Sequence, residues 1–199
     1  MRTDIIEWAS AVRTLPGQSE CGDRHVVMPT FNGVLVAVVD GLGHGHEAAI
    51  AAKRAVTAIE DHVDSESLIS LVQRCHINLR ETRGAVMSLA MFNGGRTMTW
   101  MGIGNVEGRL LRKRAGVTRW HEALLLRAGV VGERLPPLYT SRVALVRHDL
   151  LILATDGIDS NFTEGIETDV EPKQIAQEII ARHSKQTDDA LAFVARYVG

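Results

Sequence analysis

Hydrophobic positions along this chain change period several times, and each change marks a different element. Residues 4–14 and 24–31 mix apolar and polar positions and read as a pair of strands, with Pro16-Gly17 turning between them. Residues 34–39 form a continuous apolar run, the pattern of a buried strand. Residues 47–63 then take helical spacing with few breakers. Residues 65–80 predict a second helix, with Ser65 as its N-cap and Leu68, Leu71, Val72 and Cys75 on one face. From Ala85 the period shortens again. The runs 85–92, 96–103, 106–112 and 117–121 are short and apolar-rich, with the turn sequences Asn93-Gly94-Gly95 and Gly104-Asn105 between them. They predict a β-meander, broken by Leu135-Pro136-Pro137. Residues 143–146 and 150–154 predict a hairpin around Arg147-His148-Asp149. Residues 172–183 predict a helix with Pro172 in its first turn, and residues 190–198 a final strand.

Strands joined by short turns run antiparallel. Two tandem helices and one later helix are enough to cover the outer faces of two sheets. The predicted fold class is therefore α+β, with sheet packed on sheet and helices outside. No repeat, low-complexity tract or interdomain linker interrupts the 199 residues, so a single domain over 1–199 is expected.

Composition narrows the function classes. Hydrophobic residues make up 45% and charged residues 23%, ordinary values for a globular protein, and the net charge of −2 gives no footprint for nucleic acid or an anionic membrane. The basic residues Arg109, Arg112, Lys113 and Arg114 cluster locally, which reads as a solvated strand face ahead of an acidic-partner patch. No apolar stretch approaches the roughly 18–20 residues of a membrane span, and no signal peptide is expected behind Met1-Arg2-Thr3-Asp4. Two cysteines, Cys21 and Cys75, are too few for a disulfide framework, which favours a reducing cytoplasm. Cys21 reads as a small core residue, and Trp8, Trp100 and Trp120 as core and sheet-face fillers.

The chemistry lies where apolar runs end on acids. The first ends in Asp40-Gly41-Leu42-Gly43-His44-Gly45, and residues 150–155 end in Asp156-Gly157; Asp188-Asp189 precedes the last apolar run. Gly43-x-Gly45-x-x-Ala48 also matches a dinucleotide fingerprint. That reading needs glycine at the strand end and a second parallel strand ending in an acid about 20 residues on, whereas here an aspartate ends the strand and a second helix follows. Three acids brought to one place suit hard divalent cations, which prefer carboxylate, carbonyl and water oxygens. Clustered like charges are costly unless a cation offsets them. No P-loop and no serine or cysteine nucleophile motif accompanies them, which favours hydrolysis by metal-activated water.

These motifs resemble the PPM (phosphatase 2C-type) metal-dependent Ser/Thr protein phosphatases, in their SpoIIE-like branch. The resemblance spans nearly the whole chain. It is carried by Cys21-Gly22-Asp23, Asp40-Gly41-Leu42-Gly43-His44-Gly45, Arg83-Gly84-Ala85, Gly102-Ile103-Gly104-Asn105-Val106, Thr155-Asp156-Gly157 and Asp188-Asp189. The compact length is most similar to the feedback phosphatases of the bacterial stressosome. The resemblance implies a four-layer αββα sandwich holding two Mn²⁺ or Mg²⁺ ions. It implies Asp40 as bridging ligand, Gly41 as carbonyl ligand, and Asp156 and Asp188 on the second ion, with Asp189 the alternative if the register differs by one. The implied substrates are phosphorylated STAS-domain stressosome proteins.

The chain departs from the larger family members at several points. They carry a proposed general-acid His where this chain has Leu42; His44 and His46 are the nearby imidazoles, with a solvent-facing role favoured. For their early phosphate-gripping Arg and their water-mediated Glu, the candidates here are Arg24 and Asp23. Leu191 stands where Ser or Thr is common, a change expected to affect packing more than ligation. Asn105 reads as a turn residue at the site edge. Two other readings remain: a phosphatase-like binding module without catalysis, and a dinucleotide-binding oxidoreductase.

Overall fold

The computed structural model describes the chain apart from residues 2, 64–66 and 115–116, and the side chains of 113–121 also lie outside the description. Among the described residues the element order is β1 (Ile6–Arg13), β2 (Asp23–Thr30), β3 (Gly33–Gly41), α1 (His46–Glu60), α2 (Leu68–Asn78), β4 (Ala85–Asn93), β5 (Thr97–Ile103), β6 (Glu107–Arg114), β7 (Val117–Ala123), β8 (Leu126–Arg127), β9 (Ser141–Ala144), β10 (Leu150–Ala154), α3 (Pro172–His183) and β11 (Ala190–Tyr197).

One sheet has the order β1-β11-β10-β6-β7. The other runs β2-β3-β4-β5-β8, with β9 also on β5. The short β5–β8 pair is parallel, and the other ladders are antiparallel. Three apolar clusters define the layers. Val36, Val38, Phe92, Leu151 and Phe193 meet between the sheets. Leu35, Ala37 and Leu89 face Ala52, Ala55, Ile59 and Leu71 of α1 and α2. Ile152 and Val194 face Ile175 and Ile179 of α3. The alternation of inward and outward side chains along each strand therefore fills two cores from every central strand, which is why β3, β10 and β11 read as unbroken apolar runs.

The pattern located the strands but not their partners. β1 and β2, read as a pair turned by Pro16-Gly17, lie in different sheets: β1 pairs β11 and β2 pairs β3. The meander divides at Gly104-Asn105, so that β4 and β5 belong to one sheet and β6 and β7 to the other. The hairpin expected around Arg147-His148-Asp149 is not one either, because β9 pairs β5 and β10 lies between β6 and β11. Period-2 alternation specifies which face a residue occupies and is silent on which strand lies alongside.

Local chemistry accounts for the helices. α1 buries Ala48, Ala49, Ala51, Ala52, Ala55 and Ala58, short side chains that let the helix sit close to the sheet. The closeness reaches Gly41, where a Cβ would stand 2.0 Å from the Ala48 carbonyl oxygen. α2 is capped by Ser67, whose hydroxyl accepts from Ser70 N at 3.2 Å; the expected cap, Ser65, lies outside the described residues. α3 starts with Pro172, where its missing N–H costs no helical bond. β3 and β4, joined through α1 and α2, are antiparallel neighbours, so the parallel crossover that a dinucleotide fold requires is absent there.

Other expectations are settled by packing. Trp100 is buried, and Trp8 stacks on Phe193 at 5.7 Å, both filling the core; the Trp120 side chain lies outside the description. Arg109 and Arg112 do not form a solvated face. Arg109 pairs Glu107 at 2.6 Å, and Arg112 reaches Glu122 at 3.0 Å and the buried Asp149 at 3.3 Å. Lys113 and Arg114 belong to the undescribed side chains. Among the described residues no helix is long and apolar enough to cross a membrane.

Candidate active site

Asp40 ends β3, Asp156 follows β10 and Asp188 precedes β11. Antiparallel pairing puts these three strand ends at the same edge of the sandwich, and the three carboxylates line one cavity of about 420 Å³. Leu42, Val86, Ala128 and Val130 form an apolar flank to it, and Gly43, Gly104 and Asn105 complete much of its rim. Among the described residues no basic side chain lines it.

Each acid is delivered by a specific local arrangement. Asp23 and Asp40 are directly opposite on β2 and β3, so pairing register alone puts one acid beside the other. Asp23 is buried and its Oδ2 accepts from Thr155 Oγ1 at 2.8 Å. Thr155 Oγ1 in turn accepts from Leu191 N at 2.8 Å. That chain of bonds ties β2 of one sheet to β10 and β11 of the other immediately below the cavity. Asp23 does not line the cavity; it sits behind Asp40 and clamps the two sheets together. Asp156 is exposed, and one of its oxygens, Oδ2, accepts from Asn105 Nδ2 at 2.7 Å. Asn105 is thus more than a turn residue, since its amide holds the rotamer of Asp156. Gly157 lets the chain before β11 approach, because a Cβ there would stand 1.8 Å from the Asp189 carbonyl oxygen.

The neighbours Asp188 and Asp189 divide in role. Asp188 lines the cavity. Asp189 is buried and turned away: Oδ1 accepts from Leu15 N at 2.7 Å and Oδ2 from Gly22 N at 2.6 Å. It staples the β1–β2 connection to the start of β11. Asp189→Ala leaves those two N–H groups without their acceptor, an expected loss of about 2 kcal/mol after relief of repulsion with the other acids. A drop in urea midpoint with unchanged slope checks this.

The crowding of acids shows in their proton affinities. Burial, reinforced by Asp23, Asp156, Asp188 and Asp189, pushes the Asp40 carboxyl up to about 9. Burial also pushes Asp23 up to about 8, against the hydrogen bond from Thr155. Asp188 is raised as well, by burial first and also by Asp156 and Asp189, against the hydrogen bond it accepts from Asp189 N and a smaller pull from His44. Among the described residues no Lys or Arg forms an ion pair with Asp40, Asp156 or Asp188. Lys185 is close, but its Nζ donates to the Asp156 backbone carbonyl at 2.8 Å.

This uncompensated negative charge fits divalent cations. No three His, Cys, Asp or Glu side chains among the described residues form a ready-made group for one ion. The carboxylates instead line a shared space, a donor set in which each cation takes one or two carboxylates and completes its shell with carbonyl and water oxygens. Gly41 is buried beside this space, and its N–H donates to the Gly22 carbonyl at 3.1 Å.

The remaining candidates fall elsewhere. Arg24 alternates with Asp23 along β2 and shares the α1-facing side with Val26, so the structure does not bring it to the cavity. His46 is engaged by Glu20 at 2.8 Å, with Lys53 on the other Glu20 oxygen at 2.9 Å. His44 is exposed and within electrostatic reach of Asp188. Leu191 packs its side chain into the core between the sheets. Cys21 is a buried thiol pushed up to about 12 by desolvation, hence neutral and unreactive. Sequence reasoning missed the bonds made by Thr155 and Asn105. Both residues follow strand or turn signals, and that position was the only local hint of a second role.

Comparison with known proteins bears on the family and the fold. Phosphoserine phosphatase RsbX of Bacillus subtilis (strain 168) is 32% identical over 92 residues, a match that spans 46% of this chain and 46% of that relative. The chain superposes with a TM-score of 0.84 on a structure solved in work on the bacterial stressosome as "a modular system that has been adapted to control secondary messenger signaling", at 26% identity over 96% of this chain and 99% of that one. RsbX in complex with magnesium gives the same TM-score of 0.84 at 20% identity, over 99% of this chain and 98% of that one, which speaks for the fold. The family model of Stage II sporulation protein E (SpoIIE) matches residues 31–198, and the chain belongs to that family, the SpoIIE-like branch of the PPM phosphatases.

Proposed function

We propose that this chain is a metal-dependent phosphoserine/phosphothreonine protein phosphatase, acting as one domain over its 199 residues on phosphorylated STAS-domain proteins of a stressosome. The observation that carries the reading is the convergence of Asp40, Asp156 and Asp188 on one cavity that no basic side chain lines among the described residues. The substrate class rests on the RsbX relative and the stressosome neighbour.

Asp40, Asp156 and Asp188, with the Gly41 carbonyl, would hold the Mn²⁺ or Mg²⁺ ions, two in number on the family resemblance. When bound, such ions acidify a water and neutralise charge on a phosphoryl group. The protein's own residues supply the rest. Asn105 donates to one oxygen of Asp156 and so restrains that carboxylate at the cavity. Asp23 and Thr155 hold the two sheets at fixed separation, so the acids contributed by each sheet keep their spacing. Leu42, Val86, Ala128 and Val130 offer an apolar wall that excludes water and receives the non-phosphorylated part of the substrate.

The test is release of phosphate from a phosphorylated STAS-domain protein, with Mn²⁺, with Mg²⁺ and with chelator. Turnover is expected with metal and is expected to vanish on chelation. Turnover that persists in chelator would end the metal-dependent reading. A binding module without catalysis predicts no turnover under any of the three conditions.

A further inference from the structure

We infer that Arg83 is the residue that grips the phosphoryl group of the substrate, an inference that rests on the phosphatase reading above. A phosphomonoester carries up to two negative charges, and its recognition calls for a planar, multidentate cation in addition to any bound metal. The cavity lining has none among the described residues, and Arg24 faces α1. Lys185 is committed to the Asp156 carbonyl. Arg83 stands in the right place. A Cβ built on Gly43, a residue of the cavity rim, would lie 2.9 Å from Arg83 Nη1. The guanidinium therefore rests against the rim over a position that has no side chain. Gly43 also sits at φ +83°, where a side chain would be strained, so this opening is built into the backbone.

The arginine is exposed, and no hydrogen bond or ion pair with another described residue occupies it. Its backbone, by contrast, is held on both sides. Thr82 Oγ1 donates to the Leu79 carbonyl at 2.7 Å and accepts from Gly84 N at 3.0 Å. The Gly84 carbonyl accepts from Leu42 N at 3.0 Å, and Ala85 exchanges bonds with Val131. A free guanidinium on an anchored backbone, at the mouth of an acidic cavity, is pre-organised to meet an anion that approaches the metals. It also opposes the net negative field that would otherwise repel a phosphorylated protein.

The experiment compares wild type with Arg83→Ala and Arg83→Lys. Two measurements are made on Mn²⁺-loaded protein: steady-state kinetics on a phosphorylated STAS-domain protein, and calorimetric binding of inorganic phosphate. Arg83→Ala is expected to raise KM and weaken phosphate binding by about 10- to 100-fold, as loss of a charge-assisted contact does. Mn²⁺ affinity and melting temperature should be unchanged. Arg83→Lys should recover part of the phosphate affinity, since it keeps the charge but loses the fork. Phosphate binding by Arg83→Ala as tight as by wild type overturns the assignment, whether or not the protein turns over. Absence of turnover in wild type instead overturns the phosphatase reading and leaves phosphate affinity to decide the role of Arg83.

Discussion

Asp40→Asn is expected to abolish turnover and, at the same time, to make the metal-free protein more stable at pH 8. The two effects have one cause. Asp40 is a carboxyl at the end of a buried strand, beside Asp23 and facing Asp156 and Asp188. In metal-free protein its ionised form is penalised by burial and by four acidic neighbours. Asparagine is close in shape and has no charge to desolvate, so in chelated protein the substitution removes a destabilising group. With metal present the sign would reverse, because the charge that was a cost would serve as a metal ligand. Loss of several kcal/mol of transition-state stabilisation corresponds to a fall in kcat of about 10³ or more. Melting curves with and without Mn²⁺, beside the phosphatase assay, read both effects. Turnover within about tenfold of wild type would remove Asp40 from the centre of the mechanism.

The second large effect is the pH dependence of metal-free stability. Asp40 and Asp23 both have carboxyl pKa values raised on folding, to about 9 and about 8. The folded state thus binds more protons than the unfolded state between the ordinary carboxylate range and pH 9. The contribution of these groups is fully present below about pH 4 and is lost as pH rises through 8 and 9. Chelated protein should therefore melt at a progressively lower temperature from pH 6 to pH 9, contrary to the usual behaviour of salt-bridged carboxylates. Saturating Mn²⁺ should flatten or invert that slope, adding about 2.7 kcal/mol at a hundred times its dissociation constant. Chelated protein whose stability holds level or rises across that range would show that the cluster carries its charge without penalty.

The reach of the sequence can be judged residue by residue. Asp40 and Asp156 were legible because a long apolar run ending on an acid is a local pattern. The division between Asp188 and Asp189 was not, because adjacent residues at a strand start point to opposite sides, and only the frame of β11 says which side holds the cavity. The Asn105 bond to Asp156 spans 51 positions and continues the β6–β10 register beyond Glu107 and Ala154, a pairing that no local spacing foresees. Arg24 was a reasonable candidate from its position beside Asp23, yet strand alternation turns it outward. Arg83 lies at the cavity rim because a loop after α2 is tied to Gly43 and Leu42 through space.

By itself, then, the amino-acid order determined the elements, the two-sheet class with outer helices, the family resemblance and the identity of the strand-end acids. These are properties of short-range periodicity and of residue types with narrow chemistry. Tertiary structure alone decided strand partners, the split of the meander between sheets, the bonds of Thr155 and Asn105, and which arginine rests against the Gly43 rim. Those depend on contacts between residues far apart in the chain, where burial and register select among partners that local pattern leaves equivalent.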